Sequence, residues 1–188
     1  NALGLRFKRM LDGAFARVAE IAEHPLCCFV NADVVLLDDL VPAVRAAAAP
    51  RFLLVGQTRD LAGVDRSELS TRDARERLRG RARRDGVLRG PAALDYFVFP
   101  STLFEPMPPF LVGPACFDNW LIWKGRRQGP VIDATGAVVA IHQAHDYGHV
   151  AGGKDEAYYG AEAAENLRLA GGKHHLYTLY DASHKLRA

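Results

Sequence analysis

The residues of this chain best suited to chemistry fall in four short stretches. His142-Gln143-Ala144-His145-Asp146-Tyr147-Gly148-His149 puts three histidines within eight residues, with an Asp and a Tyr among them. Imidazole is the commonest metal ligand, and it titrates near neutral pH. The spacing is not H-E-x-x-H and no C-x-x-C occurs, so neither a zincin nor a structural zinc site is indicated. A purely structural histidine cluster is the plain alternative. Asn31-Ala32-Asp33 abruptly ends the apolar run Leu26 to Val30. A carboxylate at a strand end can meet a hard cation and the phosphates it carries, or it can simply cap a following helix. Asp118-Asn119 opens an apolar helix containing Trp120 and Trp123 and follows a turn at Gly113. That position suits a helix cap, and it equally suits an acid presented to a bound sugar. Asp95 heads the β-rich run Tyr96-Phe97-Val98-Phe99.

The elements that must position these groups follow from the pattern of apolar residues. Leu5 to Glu23 has helical periodicity through Phe7, Met10, Leu11, Ala14, Phe15, Val18 and Ile21. Pro25 ends it, because the residue before a proline is pushed out of the α region. Leu26 to Val30 is a short continuous apolar run, as expected of a parallel strand buried on both faces. Asp38 and Asp39 mark the start of an alanine-rich helix over Leu40 to Ala49, and Phe52 to Gly56 reads as a second strand. Further strands are expected at Leu94–Phe99, Val131–Thr135 and Val138–His142. A short helix is expected over Ala161–Ala170, and a strand-like tail at Thr178–Ala182. The alternation of helix and strand predicts an α/β sheet.

Residues 59–90 differ from the rest. Arg59 to Arg89 holds ten Arg against six Asp or Glu, a net of +4 (10 − 6), with few large apolar residues. Thr71 to Arg84 can form a helix there. It reads either as a solvated surface helix or as an insertion whose arginines meet phosphate or another anion. No aromatic residues are interleaved with the arginines, so RNA binding is weakly signalled.

Composition sets the outer limits. The 188 residues read as a single domain over 1–188, 49% hydrophobic and 24% charged, with a net charge of only +2. No global field therefore argues for nucleic acid as a partner. Cys27, Cys28 and Cys116 read as reduced packing residues rather than a disulfide framework. No apolar run reaches membrane-spanning length and no signal-peptide pattern is present, so a cytoplasmic location is expected.

Taken in order, these pieces resemble GT-A glycosyltransferases. The resemblance is carried by the strand ending in Asn31-Ala32-Asp33, the later glycine turn with Phe117-Asp118-Asn119-Trp120, and His142 after a strand. It covers about Pro25 to His149 and is closest to bacterial glycosyltransferase-like proteins with N-A-D, D-Y-F-V-F, D-N-W and H-Q-x-H-D-Y motifs. It implies an α/β, GT-A-like mixed sheet flanked by helices and N-terminally truncated, since the family's first nucleotide-binding strands have no counterpart before Asn1. It also implies a divalent cation, Mn²⁺ or Mg²⁺, held by Asp33 and His142, with His145 competing for the second place. Asp118 would be the general base of an inverting single displacement. Asn31, Asp33, Asp95, Gly113, Asn119 and Trp120 would contact donor or acceptor. The partners implied are a nucleotide-sugar donor and an acceptor hydroxyl on a glycan, lipid or small molecule. Two other readings stand beside it: a degenerate, non-catalytic sugar- or nucleotide-binding module, and a metal-dependent phosphoester hydrolase.

Overall fold

The computed structural model describes residues 10–47, 49–144 and 153–187. Within them the chain runs α1 (Leu11–Ile21), β1 (Leu26–Val30), β2 (Val34–Leu36), α2 (Leu40–Ala46), β3 (Leu53–Leu61), α3 (Arg72–Asp85), β4 (Val87–Leu88) and β5 (Leu94–Pro100). It continues through α4 (Phe117–Gln128), β6 (Val131–Gly136), β7 (Ala140–Gln143), α5 (Gly153–Tyr159), α6 (Ala161–Leu169) and β8 (His184–Arg187). Among the described residues, eight strands form one mixed, open sheet flanked by helices.

β3 is the axis of that sheet. Its first half pairs antiparallel with β5 on one side and parallel with β6 on the other. Its second half pairs parallel with β7 and antiparallel with β4. β6 and β7 thus follow one another along the same edge of β3, and β2 lies antiparallel against β7. The pairing with β5 shifts between Val55 and Gln57, where Gly56 sits. A Cβ at Gly56 would run into the Tyr96 hydroxyl and lie 3.0 Å from the Thr135 amide nitrogen, so only glycine lets these strands approach.

Strand alternation sorts the apolar residues into cores on the two faces. On one face Leu53, Val55, Phe97 and Phe99 pack with Leu11 of α1 and with Phe117, Trp120, Leu121 and Ile122 of α4. On the other, Leu54, Tyr96, Val98 and Ile132 pack against Ala43 of α2 and Ala47, its C-cap. A third cluster beyond it joins Leu61, Val139 and Ile141 to Leu78 and Ala82 of α3. The arginine-rich segment is therefore anchored. Arg75 pairs with Asp38 at 2.9 Å, Arg79 with Asp39 at 3.1 Å and Arg81 with Glu68 at 2.8 Å, which ties α3 to the start of α2 and to the loop before α3.

Two expectations require correction. β1 pairs antiparallel with β5 and is not buried on both faces: Leu26 and Val30 are 38% and 39% exposed, and Cys28 is exposed as well. Its apolar composition reflects one packed side, where Cys27 and Phe29 meet the core. Thr178–Ala182 forms a short 3-10 turn with Thr178 as its cap, and the strand comes later, as β8 beside β6. The three cysteines are unpaired thiols. No helix among the described residues is long and apolar enough to cross a membrane.

Candidate functional site

Strand register assembles one polar corner at the far end of β3. In the parallel pairing of β3 and β7, Asp60 lies directly opposite His142. In the antiparallel pairing of β2 and β7, His142 lies opposite Val34, so Asp33 is the residue just outside that ladder. The Gln143 amide donates to the Asp33 carbonyl at 2.9 Å, extending the pairing by one bond. Asp33 is therefore followed by a strand, and the helix-cap reading for it falls. His142 is 6% exposed, and its two ring nitrogens meet two carboxylates. Nδ1 lies 2.8 Å from Asp60 Oδ1, and Nε2 lies 3.3 Å from Asp33 Oδ2.

A second group stands behind this one. Asp95 is 6% exposed and held from three elements. The Asn31 side-chain amide donates to Oδ1 at 3.1 Å, the Thr58 hydroxyl to Oδ2 at 2.7 Å, and Arg89 Nη1 to Oδ2 at 2.5 Å. Arg89 follows β4, and its amide donates to the Thr58 carbonyl at 3.0 Å, so the sheet itself aims the guanidinium. The same side chain approaches Asp60 Oδ1 at 3.6 Å. The polar groups form one chain: Asp95, Arg89, Asp60, His142, Asp33. Charge-assisted bonds of this kind are strong when desolvated, and each member is costly to leave alone.

Asp118 is the second residue of α4, and Cys116 is the N-cap, with no side-chain capping bond. Cys116 has φ +89, a left-handed conformation that costs a non-glycine residue energy, and Gly113 three residues earlier has φ +107. Asn166 of α6 fixes the strained turn. Its carbonyl oxygen accepts from the Leu111 amide at 2.9 Å, and its amide donates to the Leu111 and Ala115 carbonyls at 3.0 and 3.2 Å. Asp118 Oδ1 is shut off from solvent without a hydrogen-bond partner, although the residue as a whole remains partly exposed. Burial pushes its carboxyl up to about 7, and the negative charge of Asp95 adds to the rise. The amides at the helix start and the charge of Arg89 oppose it.

The open part of the corner is a cleft of about 350 Å³ lined by Asp60, Arg89, Gly90, Ala93, His142, Ala144, Lys154 and Tyr158. Of Asp33 and His142, taken from the sequence as metal ligands, His142 lines this cleft, and Asp33 meets that ring at 3.3 Å without lining the cleft itself. His145 lies outside the described residues. Asn31 and Asp95 are joined to each other, with Asp95 satisfied by protein groups. Asn119 is occupied structurally, donating to the Tyr177 carbonyl at 2.8 Å. Trp120 is 4% exposed and packs edge-on to Phe110 with ring centroids 5.2 Å apart, so it belongs to the core and not to the cleft wall. Gly113 is an exposed turn residue.

Sequence reasoning missed Asp60, Thr58, Arg89, Lys154 and Tyr158. Asp60 carried a faint signal, an acid in the polar run Gln57-Thr58-Arg59-Asp60 that follows the apolar start of β3. Arg89 carried none among ten arginines. Among the described residues no three His, Cys, Asp or Glu side chains converge as a complete metal cage. The donor set of Asp33 and His142, one oxygen and one nitrogen, suits a hard or borderline dication that takes its remaining ligands from phosphate and water. Compared with protein-family models, curated proteins and solved structures, the chain finds no match.

Proposed function

We propose that this chain transfers a sugar from a nucleoside-diphosphate donor to an acceptor hydroxyl, in the manner of the GT-A glycosyltransferases that its motifs resemble. The observation that carries the reading is the meeting of Asp33 Oδ2 and His142 Nε2 at 3.3 Å, from the residue just before β2 and from β7. Asp33 and His142 would hold the divalent cation, which when bound supplies charge neutralisation to a leaving diphosphate. Arg89 and Lys154 place two further cationic side chains on the same cleft, which suits a diphosphate. Asp118 takes the proton of the acceptor hydroxyl, and a carboxyl near pH 7 is well matched to that exchange. Asp95 contacts no ligand in this scheme. It holds Arg89 and Asn31 in place, and its charge helps keep Asp118 basic.

A second reading, metal-dependent phosphoester hydrolysis, gains from Asp60, because His142 then has two carboxylates beside it. Among the described residues, however, no group of three His, Cys, Asp or Glu side chains that could hold a metal ion is formed.

A thermal-shift panel separates the two. Nucleoside diphosphates and their sugars are tested with Mn²⁺, with Mg²⁺ and with EDTA, and hydrolysis of bis-p-nitrophenyl phosphate is followed in parallel. A ligand bound only to the folded protein at 100 times its Kd adds about 2.7 kcal/mol. One nucleotide should raise the melting temperature in the presence of cation. No shift with any nucleotide or nucleotide-sugar would end the proposal, and phosphoester turnover would replace it.

A further inference from the structure

We propose that Asp60 is a positioning residue that orients His142 and fixes which ring nitrogen faces Asp33, an inference that rests on the cation reading above. The geometry is set by the backbone: β3 and β7 are parallel neighbours with Asp60 opposite His142, so the carboxylate and the imidazole start side by side on one face. Asp60 Oδ1 lies 2.8 Å from Nδ1, a strong charge-assisted contact when Nδ1 carries the hydrogen. A carboxylate is an acceptor only, so a neutral ring bonded in this way has its hydrogen on Nδ1 and its lone pair on Nε2. Nε2 of the same ring faces Asp33 Oδ2, 3.3 Å away.

The orientation is braced from the other side. Arg89 Nε lies 3.6 Å from the same Asp60 oxygen, and Arg89 is itself anchored by Asp95. Asp60 cannot swing away from the ring without giving up Arg89 as well. A carboxylate that holds a ligating histidine through its second nitrogen is worth 10- to 100-fold in metal affinity where such pairs have been removed. The arrangement reads from sequence only once the strand register is known, because the two residues are 82 positions apart.

The test uses the full chain and Mn²⁺ alone as the probe. Titration calorimetry gives the Mn²⁺ affinity of wild type, Asp60→Ala and Asp60→Asn. Asp60→Ala should bind roughly 10- to 100-fold more weakly. Asp60→Asn keeps an acceptor oxygen and should fall between the two. The second readout needs no metal: ¹⁵N shifts of the His142 ring at alkaline pH should show the Nδ1–H form in wild type and lose that bias in Asp60→Ala. A merely structural Asp60 would change melting temperature and leave both readouts where they were.

Equal Mn²⁺ affinity in wild type and Asp60→Ala overturns the role of Asp60, as does an Nε2–H ring in wild type. Wild type that binds no Mn²⁺ overturns the cation reading and the proposal with it, a result distinct from the other two. Should Asp60→Ala fail to fold, Asp60→Asn and the wild-type ring spectrum decide the matter.

Discussion

Replacing Asp118 by Asn should make the protein more stable at neutral pH and less active at the same time. The carboxyl is raised from its ordinary value of 3.8 to about 7, chiefly because burial penalises its charged form and because Asp95 adds repulsion. A displacement of that size corresponds to about 4 kcal/mol between the folded and unfolded chains, taken as an upper bound. The sign follows from proton counting. Between pH 3.8 and about 7 the folded protein keeps a proton that the unfolded chain has released. Stability from this group is fully present below the unfolded value and is lost as the pH rises through the folded value. Asn has the shape of the protonated acid and no charge to bury. Near pH 4 the two proteins should match, and by pH 8 Asp118→Asn should be ahead by up to about 4 kcal/mol.

The assay is urea denaturation of both proteins at half-unit steps from pH 4 to pH 8, with m-values compared to confirm that the same surface is exposed. Two stability curves that run parallel across this window would refute the reasoning about the buried carboxylate. The catalytic half uses the same variant. Removal of the proton acceptor should lower transfer by roughly 10²–10⁴-fold with donor affinity nearly unchanged. A residue that gains stability and loses turnover when neutralised is a base held at an energetic cost, whereas a helix cap would lose little of either.

Trp120→Ala should cost about 3–5 kcal/mol, because the ring lies in the main core against Phe110, and nucleotide affinity of the protein that remains folded should be unchanged. Loss of nucleotide binding with the melting temperature intact would return the ring to the ligand site. Tyr96→Phe should be neutral or stabilising by about 1 kcal/mol, since the hydroxyl is buried with no hydrogen-bond partner among the described residues. A loss of more than about 1 kcal/mol on denaturation would mean that the hydroxyl has a partner after all.

The helix-and-strand alternation was legible in the sequence because each element carried its own period. α3, predicted over Thr71–Arg84, is observed over Arg72–Asp85 with Thr71 as its cap. The pairing of the strands was not legible. Leu26 to Val30 is as apolar as a parallel strand buried on both faces, yet it pairs antiparallel with β5 and keeps two of its apolar side chains partly exposed. Composition reports how apolar a strand is and leaves its neighbours open. The arginine-rich segment is the surface helix its charges suggested, with one buried stripe. Its charges suggested a solvated helix or an anion-binding insertion, and Leu78 and Ala82, one helical turn apart, pack its inner side against Leu61 and Ile141.

The site divides along the same line. Asp33, Asp118 and His142 could be named because each sits at a punctuation point in its own stretch, a strand end or a helix start. Their partners could not, because a partner is defined by register. Asp60 faces His142 only because β3 runs on past its bulge to pair with β7, and Arg89 reaches Asp95 only because β4 turns the chain back along Thr58. Register also reassigns roles. Asp95, read from the sequence as a ligand contact, has its oxygens taken by Asn31, Thr58 and Arg89, and its charge acts on Asp118. Local sequence therefore names the groups that end an element, and the sheet decides which of them act on one another.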